Sequence, residues 1–243
     1  MSMFAKQYLE TLQGLIERAI NEQMDVIEMA GKRVAESVAQ GGILHIFGVG
    51  HSHILAEEGF YRAGGLAAVN PILEPSLMLH SGARKSMQLE NVSGLGAILF
   101  RYHELKKEDI LLIVSNSGVS RVPIELASLA KENGIYTIAI TSVKYSEQIK
   151  GDKQALYEIV DLVIDNFGEP GDALIEIPGL PQRVGPSSTV LGTALLNAII
   201  VAAVAELQAM GFAPPVYISG HLPGSNEHNS TLARKYAARI RAL

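Results

Sequence analysis

The chain has 243 residues, with 20 Lys and Arg against 25 Asp and Glu for a formal net charge of −5, and 48% of it is hydrophobic. That length suits one generous α/β domain with a substantial core, and the hydrophobic share excludes a disordered chain. The absence of Cys excludes a disulfide scaffold, a thiolate zinc site and a cysteine nucleophile, while an acidic balance without a basic stripe speaks against nucleic acid and anionic membranes. A small anionic ligand stays open, because its binding needs only a few local groups. Residues 1–12 carry Lys6 and Glu10 and no apolar core ahead of small cleavage residues, so a cytoplasmic location is expected.

In chain order, residues 1–40 read as one long amphipathic helix. Tyr8, Leu12, Leu15, Ile16, Ala19, Ile20, Ile27, Ala30, Val34 and Val38 recur at three- and four-residue steps, and Gly41-Gly42 stops the run. Such a helix either packs along its own sheet layer or reaches across to a second subunit. Residues 43–47 predict a strand, with His45 inside it as a satisfied core residue. The turn Gly48-Val49-Gly50-His51-Ser52 follows, then a helix through Arg62. A short second strand is predicted at 67–70, and 71–92 is the least regular stretch. Helical spacing returns at 95–105. Residues 110–114 predict a strand ending in Ser115-Asn116-Ser117-Gly118-Val119-Ser120, and 122–133 a helix stopped by Gly134. Strands are expected at 135–140, 162–164 and 174–177, a long apolar helix at 189–210 and a polar helix from about residue 227.

Apolar strands alternating with helices indicate a parallel sheet in a three-layer α/β/α sandwich. No linker or repeat interrupts the chain, so one domain over 1–243 is expected: the N-terminal helix at 1–40, the α/β core at 41–210 and a C-terminal segment at 211–243. The uncharged stretch 184–205 is long enough to span a membrane. It carries Gly185, Pro186, Ser187, Ser188, Thr189, Gly192, Thr193 and Asn197, however, which favours a buried core helix.

Three turns carry possible chemistry. Gly48-Val49-Gly50 matches only the first two glycines of a dinucleotide fingerprint, since His53 stands at the third. Ser52 there sits where a helix cap or an anion ligand belongs. The run from Ser115 to Ser120 places three hydroxyls and an amide between a strand and a helix. One cap needs one Ser, so the excess points to a phosphate held by backbone N–H groups and hydroxyls. Gly185-Pro186-Ser187-Ser188-Thr189 opens the long apolar helix in the same manner. Helix starts that follow parallel strands converge on one sheet edge, where open α/β sheets bind ligands. A Walker loop and a Gly-x-Ser-x-Gly elbow are both absent.

Gly50-His51-Ser52 together with Ser115-Asn116-Ser117-Gly118-Val119-Ser120 resembles the SIS (sugar isomerase) domain of phosphosugar isomerases and binding proteins. The likeness is clearest from Gly41 to Ser142. The segments Val184-Gly185-Pro186-Ser187-Ser188-Thr189, Pro214-Pro215-Val216 and Asn226-Glu227-His228-Asn229 resemble a phosphoheptose-isomerase-like subgroup. The resemblance implies a five-stranded parallel sheet of flavodoxin-like type. It also implies a sugar phosphate held by Ser52, Ser115, Asn116, Ser117 and Ser120; no cofactor is expected. Gly50, Ser187 and Ser188 join the expected phosphate-binding set.

Aldose–ketose isomerisation needs a base beside the carbonyl carbon and a group that shuttles the hydroxyl proton, tasks suited to a carboxylate and a His. Glu57 and Glu58, early in the helix after Ser52, are expected near the same cavity. Neither matches the position of the catalytic Glu that some phosphoheptose isomerases carry on this helix. His51 is a candidate for ring opening. As a His-x-His pair with His53 it lacks the partner cluster a metal site needs, so no metal is expected. Glu227 and His228 form a second acid/base pair, which an SIS site can borrow from a neighbouring subunit. SIS-type etherases place one carboxylate ahead of the third strand. Glu90 lies in that region, but its flanking residues do not match. The expected function is a sugar-phosphate isomerase, with a phosphosugar sensor or an etherase-type lyase as alternatives. A homodimer or homotetramer is expected, with sites near the subunit interface.

Overall fold

The structure is a computed structural model and describes residues 3–243. The N-terminal helix is present and is interrupted once, giving α1 (Phe4–Glu22) and α2 (Met24–Ala39). The interruption is at Gln23, whose side chain leaves the helix pattern and accepts the N–H of Asp165 at 3.1 Å. Five parallel strands follow: β1 (Leu44–Gly48), β2 (Val69–Ile72), β3 (Ile110–Val114), β4 (Tyr136–Thr141) and β5 (Leu162–Asp165). Their order is β2-β1-β3-β4-β5, so the chain leaves β1 for one edge and returns to its other side at β3. This is the flavodoxin-like order, with its switch point between β1 and β3.

Both sheet faces are apolar, and the strand period of two divides them. Leu44 and Ile46, Ile110 and Leu112, and Ile138 and Ile140 face one core cluster, shared with α2 and the long C-terminal helix. Phe47, Leu111, Ile113 and Ala139 face the other, under α5 (Leu95–Tyr102) and α6 (Arg121–Glu132). Between β1 and β2 runs α3 (His53–Gly59), and α4 (Ala83–Leu89) lies in the irregular stretch ahead of β3, with 3₁₀ turns around it. A further short helix, α7 (Val143–Ile149), follows β4.

One strand expectation is corrected. Residues 173–175 do not extend the parallel sheet. They form β6 (Ala173–Ile175), paired antiparallel with β7 (Val184–Pro186). The apolar helix is α8 (Ser188–Ala209), the one helix among the described residues long and apolar enough to cross a membrane. Half of its apolar window is buried here, against α2 and α3. The approach to α2 is close, since a Cβ on Gly31 would lie 2.4 Å from the Cβ of Ala202. The C-terminal segment runs antiparallel beside residues 64–67, bridging Leu66 to Val216, and ends in α9 (Ser225–Tyr236).

Candidate functional site

A cavity of about 240 Å³ opens beyond the C-terminal ends of β1 and β3, at the switch point. Val49 and Val114 form its floor, and Ser115, Asn116, Ser117 and Ser120 one wall. His51 and Ser52 approach from the β1 side, Ser188 from the start of α8, and Glu90, Tyr145 and Asp172 complete the lining. Two carboxylates therefore share the cavity, and no Lys or Arg does.

The serine loop is held from behind. The carbonyls of Asn116, Ser117 and Gly118 accept from the Ser142 N–H (3.1 Å), the Ser146 hydroxyl (2.8 Å) and the Leu156 N–H (2.8 Å). The Asn116 Oδ1 accepts from Asn166 at 3.0 Å. The N–H groups of Ser117, Val119 and Ser120 have no acceptor among the described residues. The turn depends on Gly118, whose φ is +64° and whose Cβ would fall 2.6 Å from the Ser146 Oγ. Ser120 stands at the N-cap of α6 without a side-chain cap bond.

Glu90 reaches this wall from the segment after α4. Its carbonyl accepts the Val122 N–H at 2.9 Å, which ties it to the first turn of α6. The side chain is half-buried. Burial pushes its carboxyl up from the ordinary carboxylate range, and a hydrogen bond from the Ser120 hydroxyl draws it partly back.

The start of α8 is already occupied by a carboxylate. Asp172 accepts the Ser187 and Ser188 N–H groups at 3.1 and 2.8 Å and the Ser188 hydroxyl at 2.6 Å. Ser187 is wholly buried and does not line the cavity, so of this turn's two serines Ser188 alone faces it. That turn also follows β7 rather than a strand of the parallel sheet.

The structure brings His51, Ser52, Ser115, Asn116, Ser117, Ser120 and Ser188 together, with Gly50 (φ +59°) shaping the turn behind them. It does not bring in Glu57 or Glu58, because α3 turns His53, Leu55, Ala56 and Gly59 inward. Glu57 is exposed, and Glu58 pairs with Arg62 and accepts from Asn197 at 2.9 Å. Glu227 and His228 lie on α9, outside the lining, with the His228 Nε2 donating to the Val216 carbonyl at 2.8 Å. Within one protomer neither pair lines the cavity. Asp172 and Tyr145 were not foreseen. They come from non-repeating loops and from one face of a short helix, where no sequence period marks them.

An α/β/α sandwich of flavodoxin-like order, with a serine loop at its switch point, defines the class. The chain belongs to the SIS domain family, whose pattern matches residues 7–142. Over most of its length it is similar to UPF0309 proteins. The one from Geobacillus kaustophilus is 42% identical over 240 residues, covering 98% of this chain and 96% of the relative. Among solved structures, a phosphoheptose isomerase from Francisella tularensis shares the fold with a TM-score of 0.56 and 15% identity, covering 84% of this chain and 98% of that one. The sugar isomerase domain of the RpiR transcription factor from Sphaerobacter thermophilus shares it with a TM-score of 0.53 and 14% identity, covering 98% and 99%.

Proposed function

We propose that the chain binds a phosphorylated sugar in this cavity and interconverts its aldose and ketose forms through an enediol. The observation that carries the reading is the pairing of a donor-rich serine loop with the half-buried carboxylate of Glu90. The phosphoryl oxygens take the free N–H groups of Ser117, Val119 and Ser120 and the neighbouring hydroxyls. Glu90 removes the proton from the carbon beside the carbonyl of the opened sugar. The C–H electron pair becomes the enediol double bond as the carbonyl oxygen takes a proton. Glu90 then returns its proton to the former carbonyl carbon as the second hydroxyl gives up its own. His51, at the rim, opens the ring and carries the hydroxyl proton. The names of the structural relatives support this ligand class, and the RpiR likeness keeps a sensor as the second reading.

The deciding experiment incubates the pure protein with a panel of aldose and ketose phosphates in heavy water. Deuterium should enter at the carbon beside the carbonyl. Tight binding without exchange would favour a sensor, and lactate released from a lactyl-ether phosphosugar would mark the lyase. Ser117→Ala should weaken sugar-phosphate binding by about 1 kcal/mol or more, read by calorimetry, as one charge-assisted hydrogen bond is lost. Affinity for phosphosugars no better than for free sugars would sink the reading.

The site also adjoins an apolar face suited to a second copy of the chain. Ile16, Ile20 and Met24 line a groove with Leu191 and Ala194, and Leu9 and Val201 are 65% and 68% exposed nearby. α8 carries no charge before Glu206 and begins at the cavity, so self-association along it places the partner beside the site. Light scattering at micromolar concentration should give at least a dimer, and Val201→Glu should lower the mass. A wild-type monomer would rule this interface out.

A further inference from the structure

The two carboxylates that line the serine-loop cavity enter it from different walls. Glu90 is tied to the first turn of α6, beside the serine loop. Asp172 enters at the start of α8 and takes no part in the proton transfers assigned to Glu90 and His51. The cavity, at about 240 Å³, lies below the roughly 300–1,000 Å³ of drug-sized sites, which suits a single sugar carrying one phosphate.

The hairpin of β6 and β7 puts Asp172 in place. Ala173 pairs with Pro186, and the Asp172 carbonyl accepts the Ser187 N–H at 3.1 Å, so the residue before the hairpin meets the residue after it. Tyr8 of α1 braces the hairpin. Its hydroxyl donates to the Pro186 carbonyl at 2.7 Å, and a Cβ on Gly185 would fall 2.7 Å from its ring. Asp172 itself adopts a φ of +67°, a left-handed conformation that Asp and Asn accept more readily than other non-glycine residues. The hairpin lies beyond residues 7–142, so the SIS domain pattern does not account for Asp172.

The hydrogen bonds of this carboxylate leave part of it unused. Its Oδ1 accepts the Ser187 and Ser188 N–H groups at 3.1 and 2.8 Å, with the Ser187 hydroxyl at 3.3 Å. Its Oδ2 accepts only the Ser188 hydroxyl, at 2.6 Å. A carboxylate oxygen has about two acceptor positions, so Oδ2 keeps one. The partners are serines, with no Lys or Arg among them, and the N-terminus of α8 supplies the partial positive charge that holds the carboxylate there. That helix start is thus already filled by an anion, and a second anion brought to this end of the cavity meets negative charge.

We infer that Asp172 is a specificity-determining residue of this cavity. The inference rests on the reading that the serine loop holds a phosphate. With the phosphate there, the other end of the sugar lies toward α8, where Asp172 accepts a hydrogen bond through Oδ2. A protonated amine satisfies that oxygen best, since it brings a donor and the opposite charge together. A hydroxyl also serves. A carboxylate or a second phosphate meets like charge, with no Lys or Arg in the lining to offset it. The preferred ligands are monophosphates of neutral or amino sugars, and sugar acids and bisphosphates are turned away.

Glu90→Gln removes the other carboxylate from the lining and should slow turnover, so binding to that chain reports Asp172 alone. Three probes share one 6-phosphate: glucosamine 6-phosphate, glucose 6-phosphate and 6-phosphogluconate. By calorimetry at neutral pH and constant ionic strength, the amine should bind about tenfold more tightly than glucose 6-phosphate, and the acid about tenfold or more weakly. Adding Asp172→Asn should cut the spread between amine and acid by about tenfold or more. The amide keeps an acceptor for the two serine N–H groups and accepts the left-handed φ, and a purely structural role would weaken all three probes alike. Should that variant fail to fold, the order of the three probes on the chain with Asp172 still decides. Binding without preference among the three, or ratios unmoved by Asp172→Asn, overturns the role of Asp172 and leaves the phosphosugar reading standing. No saturable binding of any of the three also overturns it, and the heavy-water panel then decides the phosphosugar reading separately.

Discussion

Replacing Glu90 by Gln should lower deuterium exchange into a bound sugar phosphate by about 10²- to 10⁴-fold, the usual contribution of a positioned general base. The amide keeps the shape and an acceptor for the Ser120 hydroxyl, so phosphate binding should change far less than turnover. The effect should therefore fall on kcat rather than KM. The wild-type pH profile carries a second signature. Burial pushes the Glu90 carboxyl above its ordinary value of 4.5, so the acid limb of the rate should lie above that pH and vanish in the variant. Stability moves the other way. A carboxyl raised in the folded state binds more protons folded than unfolded, so wild-type stability falls as pH rises from the ordinary to the raised value. Glu90→Gln should lack that fall and be at least as stable at neutral pH, read from urea midpoints. Undiminished exchange in the variant would remove Glu90 as the base.

What the sequence made legible follows from how local each feature is. The loop from Ser115 to Ser120 was readable because an apolar strand, a hydroxyl cluster and a helix adjoin one another. The atoms that brace it, on Ser142, Ser146 and Leu156, come from β4 onward, and no period links them to the loop. Two of the acid/base candidates fall outside the lining for a related reason. Glu57 and Glu58 adjoin Ser52 in sequence, but the direction of their side chains is set by which face of the seven-residue α3 is buried. Glu90 and Asp172 enter the cavity from loops whose course is fixed only by tertiary contacts. The second strand was expected at 67–70, ahead of Asn70-Pro71, yet β2 runs through Pro71 to Ile72. β2 is an edge strand, where a missing N–H is tolerated. The alternation at 174–177 likewise gave a strand without naming its partner, which proved to be β7.

Asp109→Ala should destabilise the fold by about 3–5 kcal/mol, because the Ile43 and Lys106 N–H groups, the His45 Nε2 and the Arg239 guanidinium all lose their acceptor at once. Asp109 lies just ahead of β3 and is 1% exposed. Its carboxylate accepts two bonds from Arg239, at 2.9 and 2.7 Å, so the end of the chain is fastened beneath the sheet. It also accepts the Ile43 and Lys106 N–H groups at 3.0 and 2.7 Å and the His45 Nε2 at 3.2 Å. The His45 Nδ1 in turn accepts from Asn70 at 2.9 Å, which turns the Nε2 side of the ring toward Asp109. Burial alone would raise the Asp109 carboxyl, but the hydrogen bonds from His45 and the two N–H groups outweigh it and hold it below 3.8. A depressed carboxyl stabilises the fold above its unfolded value and loses that contribution as pH falls through the folded value. Wild type should therefore lose stability in acid more steeply than Asp109→Ala. Arg239→Ala alone should cost less, since Arg239 is partly exposed and Asp109 keeps its other donors. The double variant should be less destabilised than the two single losses summed, because each single change strands the other group. Urea midpoints for the four proteins measure this directly. A loss below about 1 kcal/mol for Asp109→Ala would mean that the network fastens nothing, and the ordering of the C-terminal segment would then rest on the pairing of residues 215–217 with 64–67.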